Sequence, residues 1–160
     1  MTTADRASLG RGCGAGRTQA QGVVMAGATQ VVVDVGPIEL SWDPDVRLAR
    51  LRFTEPGTGG GPEAERLTAQ LASWVAEGEG GPFWFLVDCS EMVDVDAAWR
   101  ATWGNFFKDE RDRSTIGWFN ASARIRLVII MFKKGTGVTG EAFESEAEAR
   151  AYLAQAGAPS

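Results

Sequence analysis

The stretch that decides the fold is FWFLVDCSEMVDVDAA, at residues 83–98. Phe83 to Val87 is a short apolar run without alternation, which is typical of a strand covered on both faces. The helical pattern that follows, from Asp94 to Arg111, places Trp99, Trp103 and Phe107 on one broad apolar face. A buried strand that leads into an amphipathic helix predicts a βα unit of an α/β domain.

The residues before this stretch predict a hairpin, a loop and a helix. Ile38 to Trp42 and Val46 to Phe53 alternate apolar and polar residues on either side of a turn at 43–45, as an antiparallel hairpin does. Val31 to Val35 is β-branched and suits a further short strand. The glycine-rich loop and the helix that follow are predicted at 56–62 and 63–77.

The residues after the quoted stretch contain one ambiguous segment, Ala121 to Lys134. Its centre is apolar and rich in β-branched residues, which suits a strand by propensity alone. A helix is favoured, because Asn120 or Ser122 can cap its start and Gly135 suits its end. The other elements are predicted as strands at 115–119 and 138–143 and a final helix capped by Ser145 and ending near Gln155.

This order of elements predicts an α/β fold with a mixed, mostly parallel five-stranded sheet and about four helices. The hairpin at the start supplies the antiparallel part. Residues 30–156 are expected to form a single domain, which suits a chain of 160 residues. Residues 1–29 are expected to be a disordered tail, and Met25 is a candidate natural start because patterned sequence begins only after it.

Composition argues against several classes of function. The net charge of −5 disfavours nucleic acid and anionic membranes as partners, and no apolar run approaches the ~20 residues of a membrane span. The chain has no histidine and only two cysteines, Cys13 and Cys89, so zinc chemistry, catalytic triads and a disulfide framework are not expected. A cytoplasmic location is expected by default.

Two motifs that could carry chemistry have simpler explanations. Asp88, Glu91, Asp94 and Asp96 could together hold Mg²⁺ or Ca²⁺, but a strand end, a turn at Ser90 and a helix cap by Asp94 or Asp96 are the simpler explanation. Residues 135–140 match G-x-G-x-x-G, yet a dinucleotide site needs a strand before that loop and a helix after it. No metal site, cofactor or catalytic residue is therefore predicted, and a metal-dependent enzyme is the least favoured function.

The aromatic residues of the predicted helix leave two alternatives open. The chain contains six tryptophans, a high number for its length. Most of them are expected to form the core. Alternatively, Trp99, Trp103 and Phe107 line a pocket for a small apolar, lipid-like ligand, or belong to a homodimer face.

Residues 88–98 resemble the STAS signature of anti-sigma-factor antagonists and sulphate transporter tails. That signature is a strand, D-L-S-x-V, three residues, and D-S-S-G at the start of a helix. Asp88, Ser90 and Asp96 fall in register with it, and Met92 takes the place of the valine. Residues 143–153 are similar to the last strand and helix of the SpoIIAA-like branch, F-x-S-x-x-E-A-x-x-W-L. The resemblance implies a STAS-like domain and a regulatory, non-enzymatic function.

One departure from the signature bears on function. In the phospho-regulated antagonists the serine after the second aspartate accepts the phosphate, and here Ala97 and Ala98 offer no hydroxyl. The expected function is therefore a protein-interaction module that lacks the phosphorylation switch. The resemblance implies a partner surface at the mouth of the sheet, formed by Asp88, Ser90, Asp94, Asp96, Ala97 and Arg100.

Overall fold

The computed structural model of the chain describes residues 30–77 and 80–159. The predicted tail at 1–29, with Cys13 and Met25, lies outside these residues and stays a prediction. The strands are β1 (Val31–Val35), β2 (Ile38–Asp43), β3 (Leu48–Phe53), β4 (Gly57–Gly59), β5 (Phe83–Asp88), β6 (Met92–Val95), β7 (Ser114–Phe119) and β8 (Thr139–Phe143). The helices are α1 (Gly61–Ala76), α2 (Ala97–Glu110), α3 (Ala123–Thr136) and α4 (Glu146–Gln155).

The main sheet has six strands in the order β1-β2-β3-β5-β7-β8. The first two pairs are antiparallel, and the pairs from β3 to β8 are parallel. Strands β4 and β6 form a separate parallel pair, in which Gly57 lies opposite Met92 and Gly59 opposite Val95. This arrangement confirms the predicted α/β class, the mostly parallel mixed sheet, the starting hairpin and the four helices.

Alternate residues of β5 pack on opposite sides of the sheet. Phe83, Phe85 and Val87 belong to the larger core, which also contains buried residues of α1, α2 and α3. Trp84 and Leu86 face a smaller core formed with Phe119 of β7 and with Ala149 and Leu153 of α4. The apolar run at 83–87 is thus a central strand covered on both faces, as the sequence predicted.

Three details of the fold differ from the prediction. The main sheet has six strands and not five, because Val31–Val35 pairs with residues 38–42 of β2. The predicted helix from Asp94 begins at Ala97, because Met92–Val95 extends as a strand beside β4. The loop at 56–62 contains that short strand β4 and the start of α1.

The ambiguous segment is the helix α3. Ser122 caps it, with its hydroxyl accepting a hydrogen bond from Ile125 N at 3.2 Å. Gly137, and not the predicted Gly135, ends it in the left-handed conformation at φ 73°, where glycine has no steric penalty, because the helix continues through Gly135 to Thr136. The G-x-G-x-x-G match therefore runs from the end of a helix into strand β8, the opposite polarity to a dinucleotide site.

Candidate interaction site

The candidate site begins where β5 ends, at Asp88. Its Oδ1 accepts hydrogen bonds from Ser90 N at 3.0 Å and from Ser90 Oγ at 2.7 Å, which closes a turn of the chain. Arg50 Nη2 lies 3.7 Å from Asp88 Oδ2 and donates to Glu146 at 3.1 Å. The exposed Ser90 hydroxyl is therefore held in a local turn at the carboxyl end of the strand.

Asp94 connects the segment between β5 and α2 to helix α3. Its Oδ1 accepts from Val95 N at 2.9 Å, and its Oδ2 accepts from Arg124 Nη2 at 2.7 Å. The backbone hydrogen bond, joined by that of the guanidinium, holds the pKa of Asp94 below its usual value. The carboxylate is thus an anion already paired within the domain.

Asp96 is the N-cap of α2. Its Oδ1 accepts a hydrogen bond from Trp99 N at 2.8 Å, one of the donors that a helix start leaves without a partner. The next two residues, Ala97 and Ala98, are exposed, and so is Arg100 one turn along. The first turn of α2 therefore presents a capping carboxylate, two methyl groups and a guanidinium to solvent.

Three glycines beneath α2 fix the position of its first turn. A Cβ at Gly59 would lie 2.7 Å from two ring atoms of Trp99, and a Cβ at Gly61 would lie 2.7 Å from the Ala98 methyl. Gly60, between them, donates its N–H to Glu63 at 2.9 Å. Only residues without side chains allow β4 and α1 to approach α2 so closely. Sequence analysis placed these glycines in a loop and missed this contact.

Trp99, Trp103 and Phe107 are buried in the larger core. Trp103 lies between the other two, with ring centroids 5.9 Å from Trp99 and 5.9 Å from Phe107. Phe53 lies 5.9 Å from Trp99, and Phe85 lies 5.4 Å from Trp103. These spacings are those of attractive aromatic pairs, so the three residues stabilise the packing of α2 on the sheet.

The same three side chains line an apolar cavity of about 70 Å³ between the sheet, α2 and α3. Arg100, Val128 and Phe132 also line it. The buried Trp103 Nε1 has no hydrogen-bond partner among the described residues. The core and pocket alternatives are therefore compatible, but the cavity is small beside the ~300–1,000 Å³ of ordinary ligand sites.

A groove between α2 and α3 adjoins this cavity, because Arg100, Val128 and Phe132 line both. The α2–α3 groove has a volume of about 340 Å³, and Gly104, Lys108 and Met131 are among its other lining residues. Sequence analysis did not predict it. The signal was the wholly apolar run at 127–132. A helix with apolar residues on every side must leave some of them exposed unless it is fully buried.

The site offers little for metal chemistry. Within 30–77 and 80–159, no three His, Cys, Asp or Glu side chains lie close enough together to hold a metal ion. Of the four acids weighed for a cation, Asp94 is paired with Arg124 and Asp96 caps α2. No helix in the same ranges is long and apolar enough to cross a membrane.

No protein-family model and no curated protein matches the chain. Several solved structures do match it, among them the following two. One is an uncharacterized protein from the DUF3478 family with a SpoIIAA-like fold, from Shewanella loihica PV-4, at TM-score 0.55 and 12% identity, covering 78% of this chain and 93% of that one. The other is the anti-sigma factor antagonist SpoIIAA in its unphosphorylated form, at TM-score 0.50 and 13% identity, covering 79% of this chain and 98% of that one.

The chain is thus an α/β domain in which an antiparallel hairpin leads into a parallel sheet. Its architecture is the SpoIIAA-like fold, so the predicted STAS-like fold is confirmed. At this level of identity the likeness concerns the fold. The roles of Asp88, Ser90, Asp94, Asp96, Ala97 and Arg100 in partner binding stay predictions, as does the cytoplasmic location.

Proposed function

We propose that the chain is a non-enzymatic regulatory module that binds a partner protein through the surface where β5 leads into α2. We define this β5–α2 junction by Asp88, Ser90, Asp96, Ala97 and Arg100. The observation that carries the proposal is the exposed first turn of α2, which the capping bond from Trp99 N to Asp96 holds in place. The SpoIIAA-like fold supports it, because one protein with that fold is an anti-sigma factor antagonist.

The junction is suited to binding and not to catalysis. Its carboxylates are occupied by a turn and a helix cap, so none is poised as a general base. Cys89 beside it is buried, and burial raises the pKa of its thiol to about 12. A thiol in that environment stays protonated near neutral pH and is a poor nucleophile.

The proposed module binds its partner without a phosphorylation switch at the start of α2. A phosphate there would add two negative charges beside Asp96, but Ala97 and Ala98 carry only methyl groups. Control of binding is then left to the amounts of the two proteins or to changes in the partner.

Site-specific photo-crosslinking tests this proposal. Benzoylphenylalanine replaces Ala97 in the full chain, expressed in its native host, and irradiation should link one protein species to the module. The matched control places the same group at Ala151, an exposed alanine of α4 on the other face of the sheet. Equal labelling from both positions, or none from position 97, would contradict the proposal.

Two further substitutions separate binding from folding. Ala97→Glu places an acidic side chain in the first turn of a helix, where the helix dipole favours a negative charge. The free energy of unfolding should therefore be no lower than that of the wild type. Binding of the captured partner should fall, because the new charge enters the contact surface. Ala97→Ser adds a hydroxyl without charge and should bind like the wild type. If both variants bind equally well, the first turn of α2 is not the contact surface.

A second candidate function is binding of a small apolar ligand, favoured by the cavity beside Trp99, Trp103 and Phe107. Its volume of about 70 Å³ is small, since a cavity of ~150 Å³ is what accommodates benzene. A lipid therefore needs α2 and α3 to separate first. Native mass spectrometry after gentle purification tests this candidate: a bound lipid-sized mass would support it, and a clean protein mass would count against it.

A further inference from the structure

We propose that the α2–α3 groove binds an acidic amphipathic helix of the partner protein, with one aliphatic side chain of that helix inserted into the adjoining cavity. The inference rests on the proposed function, since it names the chemistry of the same partner. It adds a second contact surface beside the β5–α2 junction, and the two surfaces share Arg100.

The exposed apolar side chains of the domain are concentrated on α3, and one of them, Met131, lines this groove. Leu127, Ile130 and Met131 of α3 are 64%, 53% and 65% exposed, and among the described residues only Val93 is comparable. Their spacing along the helix gives one continuous stripe. A stripe of this kind next to an apolar groove is a common feature of surfaces that bind a helix.

The shape of the groove fits a helix and its anchoring side chain. Gly104 leaves space in the wall formed by α2: a Cβ added there would meet nothing closer than Thr136 Cγ2, at 3.9 Å. The cavity of about 70 Å³ beyond Val128 and Phe132 is too small for an aromatic ring but suits a branched aliphatic side chain. An aliphatic anchor in a desolvated pocket is a typical source of binding energy.

The positive charge at the edge of the groove favours a partner helix with acidic residues. Arg100 and Lys108 are the only charged residues that line it, and neither forms a salt bridge with any residue in the described ranges. This positive rim lies on a chain whose net charge is −5. Acidic residues that flank the apolar face of a bound helix would complement it.

Two other occupants fit the groove less well. Residues 1–29 of this chain contain three arginines and one acidic residue, so their charge has the same sign as the rim. A second copy of the chain, docked patch to patch, would bring Arg100 and Lys108 near the same residues of its twin. Docked through another surface of residues 30–77 and 80–159, it would offer only Val93 as a large exposed apolar anchor.

Binding of two model peptides to the full chain tests the inference. Both are helical, roughly 18 residues or about five turns long, with leucines at i, i+3 and i+7. One carries glutamate on the flanks of the leucine face, and the other carries lysine. Isothermal titration at low salt should show binding of the glutamate peptide and at least about tenfold weaker binding of the lysine peptide. Equal affinities, or no binding of either, would overturn the proposal.

Substitutions then locate the site. Lys108→Glu should weaken the binding of the glutamate peptide and strengthen the binding of the lysine peptide. Arg66→Glu makes the same charge change at an exposed position of α1 outside the groove and should leave both affinities unchanged. Equal effects of the two variants would overturn the assignment. So would a concentration-dependent dimer in sedimentation that Met131→Glu abolishes, since a second copy would then occupy the groove.

The two proposals can fail separately. If Ala97 crosslinks to a partner but the glutamate peptide does not bind, the junction is a contact surface and the groove is not. If the peptide binds with the predicted charge preference but nothing crosslinks from position 97, the groove stands and the junction fails.

Discussion

Adding one methyl group at Gly59 or at Gly104 should change stability in opposite directions. At Gly59 the new Cβ would lie 2.7 Å from Cδ2 and Cε3 of Trp99. Carbon atoms pack best at about 3.5–4.0 Å, so the strand or the indole must move by roughly 1 Å. Trp99 is only 7% exposed and lies against Phe53 and Trp103, so its ring has little room to move.

The expected cost of Gly59→Ala is that of overpacking a core, about 1–3 kcal/mol. Gly104 is instead a helical glycine with ordinary contact distances around it, the nearest being 3.9 Å. Gly104→Ala should stabilise the domain by about 0.5–1 kcal/mol, because alanine loses less backbone entropy in a helix. At roughly 2–4 °C per kcal/mol, the two melting temperatures should lie on opposite sides of the wild-type value.

Differential scanning calorimetry measures both shifts, and urea unfolding followed by circular dichroism checks that the transition stays cooperative. Near-ultraviolet circular dichroism of the Gly59→Ala variant should also report a changed tryptophan environment. A Gly59→Ala protein as stable as the wild type would refute the close approach of β4 to α2. A less stable Gly104→Ala protein would refute the open space that the groove proposal requires.

Three further outcomes are expected from the contacts described above. The pKa of Asp94 is lower in the folded protein than in the unfolded chain, so its contribution to stability is present above the unfolded pKa and is lost as pH falls through the folded pKa. Arg124→Gln should raise the pKa of Asp94 in an NMR titration. An unchanged pKa would argue against the ion pair. Asp96→Ala should lower the free energy of unfolding by about 1 kcal/mol in chemical denaturation, because the helix cap is lost. Asp96→Asn can still cap the helix and should lower it much less. Equal decreases for the two variants would show that the charge of Asp96 dominates. In a Cys13→Ser variant, Cys89 should react with a thiol reagent at pH 8 only after unfolding, since burial raises its pKa to about 12, and rapid labelling of that folded variant would contradict the burial of Cys89.

The elements with strong local patterns could be predicted from sequence. The run from Phe83 to Val87 contains only apolar residues because both of its faces are buried, and this pattern predicts a central strand. The helix α3 could be distinguished from a strand because Ser122 marks its start and glycines lie near its end, although the glycine that ends it is Gly137 and not the predicted Gly135. Such signals lie within a few residues of the element that they define.

The parts that depend on distant residues could not be predicted. Strand β6 has four residues, and its partner β4 is Gly-Thr-Gly, which has almost no side-chain pattern. Arg124 reaches Asp94 from a helix 30 residues further along the chain. Whether Trp99 and Trp103 belong to the core or line a pocket depends on how α2 packs against α3. In the structure both side chains are buried in the core and also line the cavity.

The larger core is covered by three helices, but among the described residues the other side of the sheet is covered by α4 and Ala158. Because α4 follows every strand of the sheet along the chain, Trp84, Leu86 and Phe119 remain uncovered on a growing chain until its ten residues have been added. Nascent chains that have completed the strands but lack this helix would display an aromatic surface. We expect them to be recognised by chaperones or to aggregate.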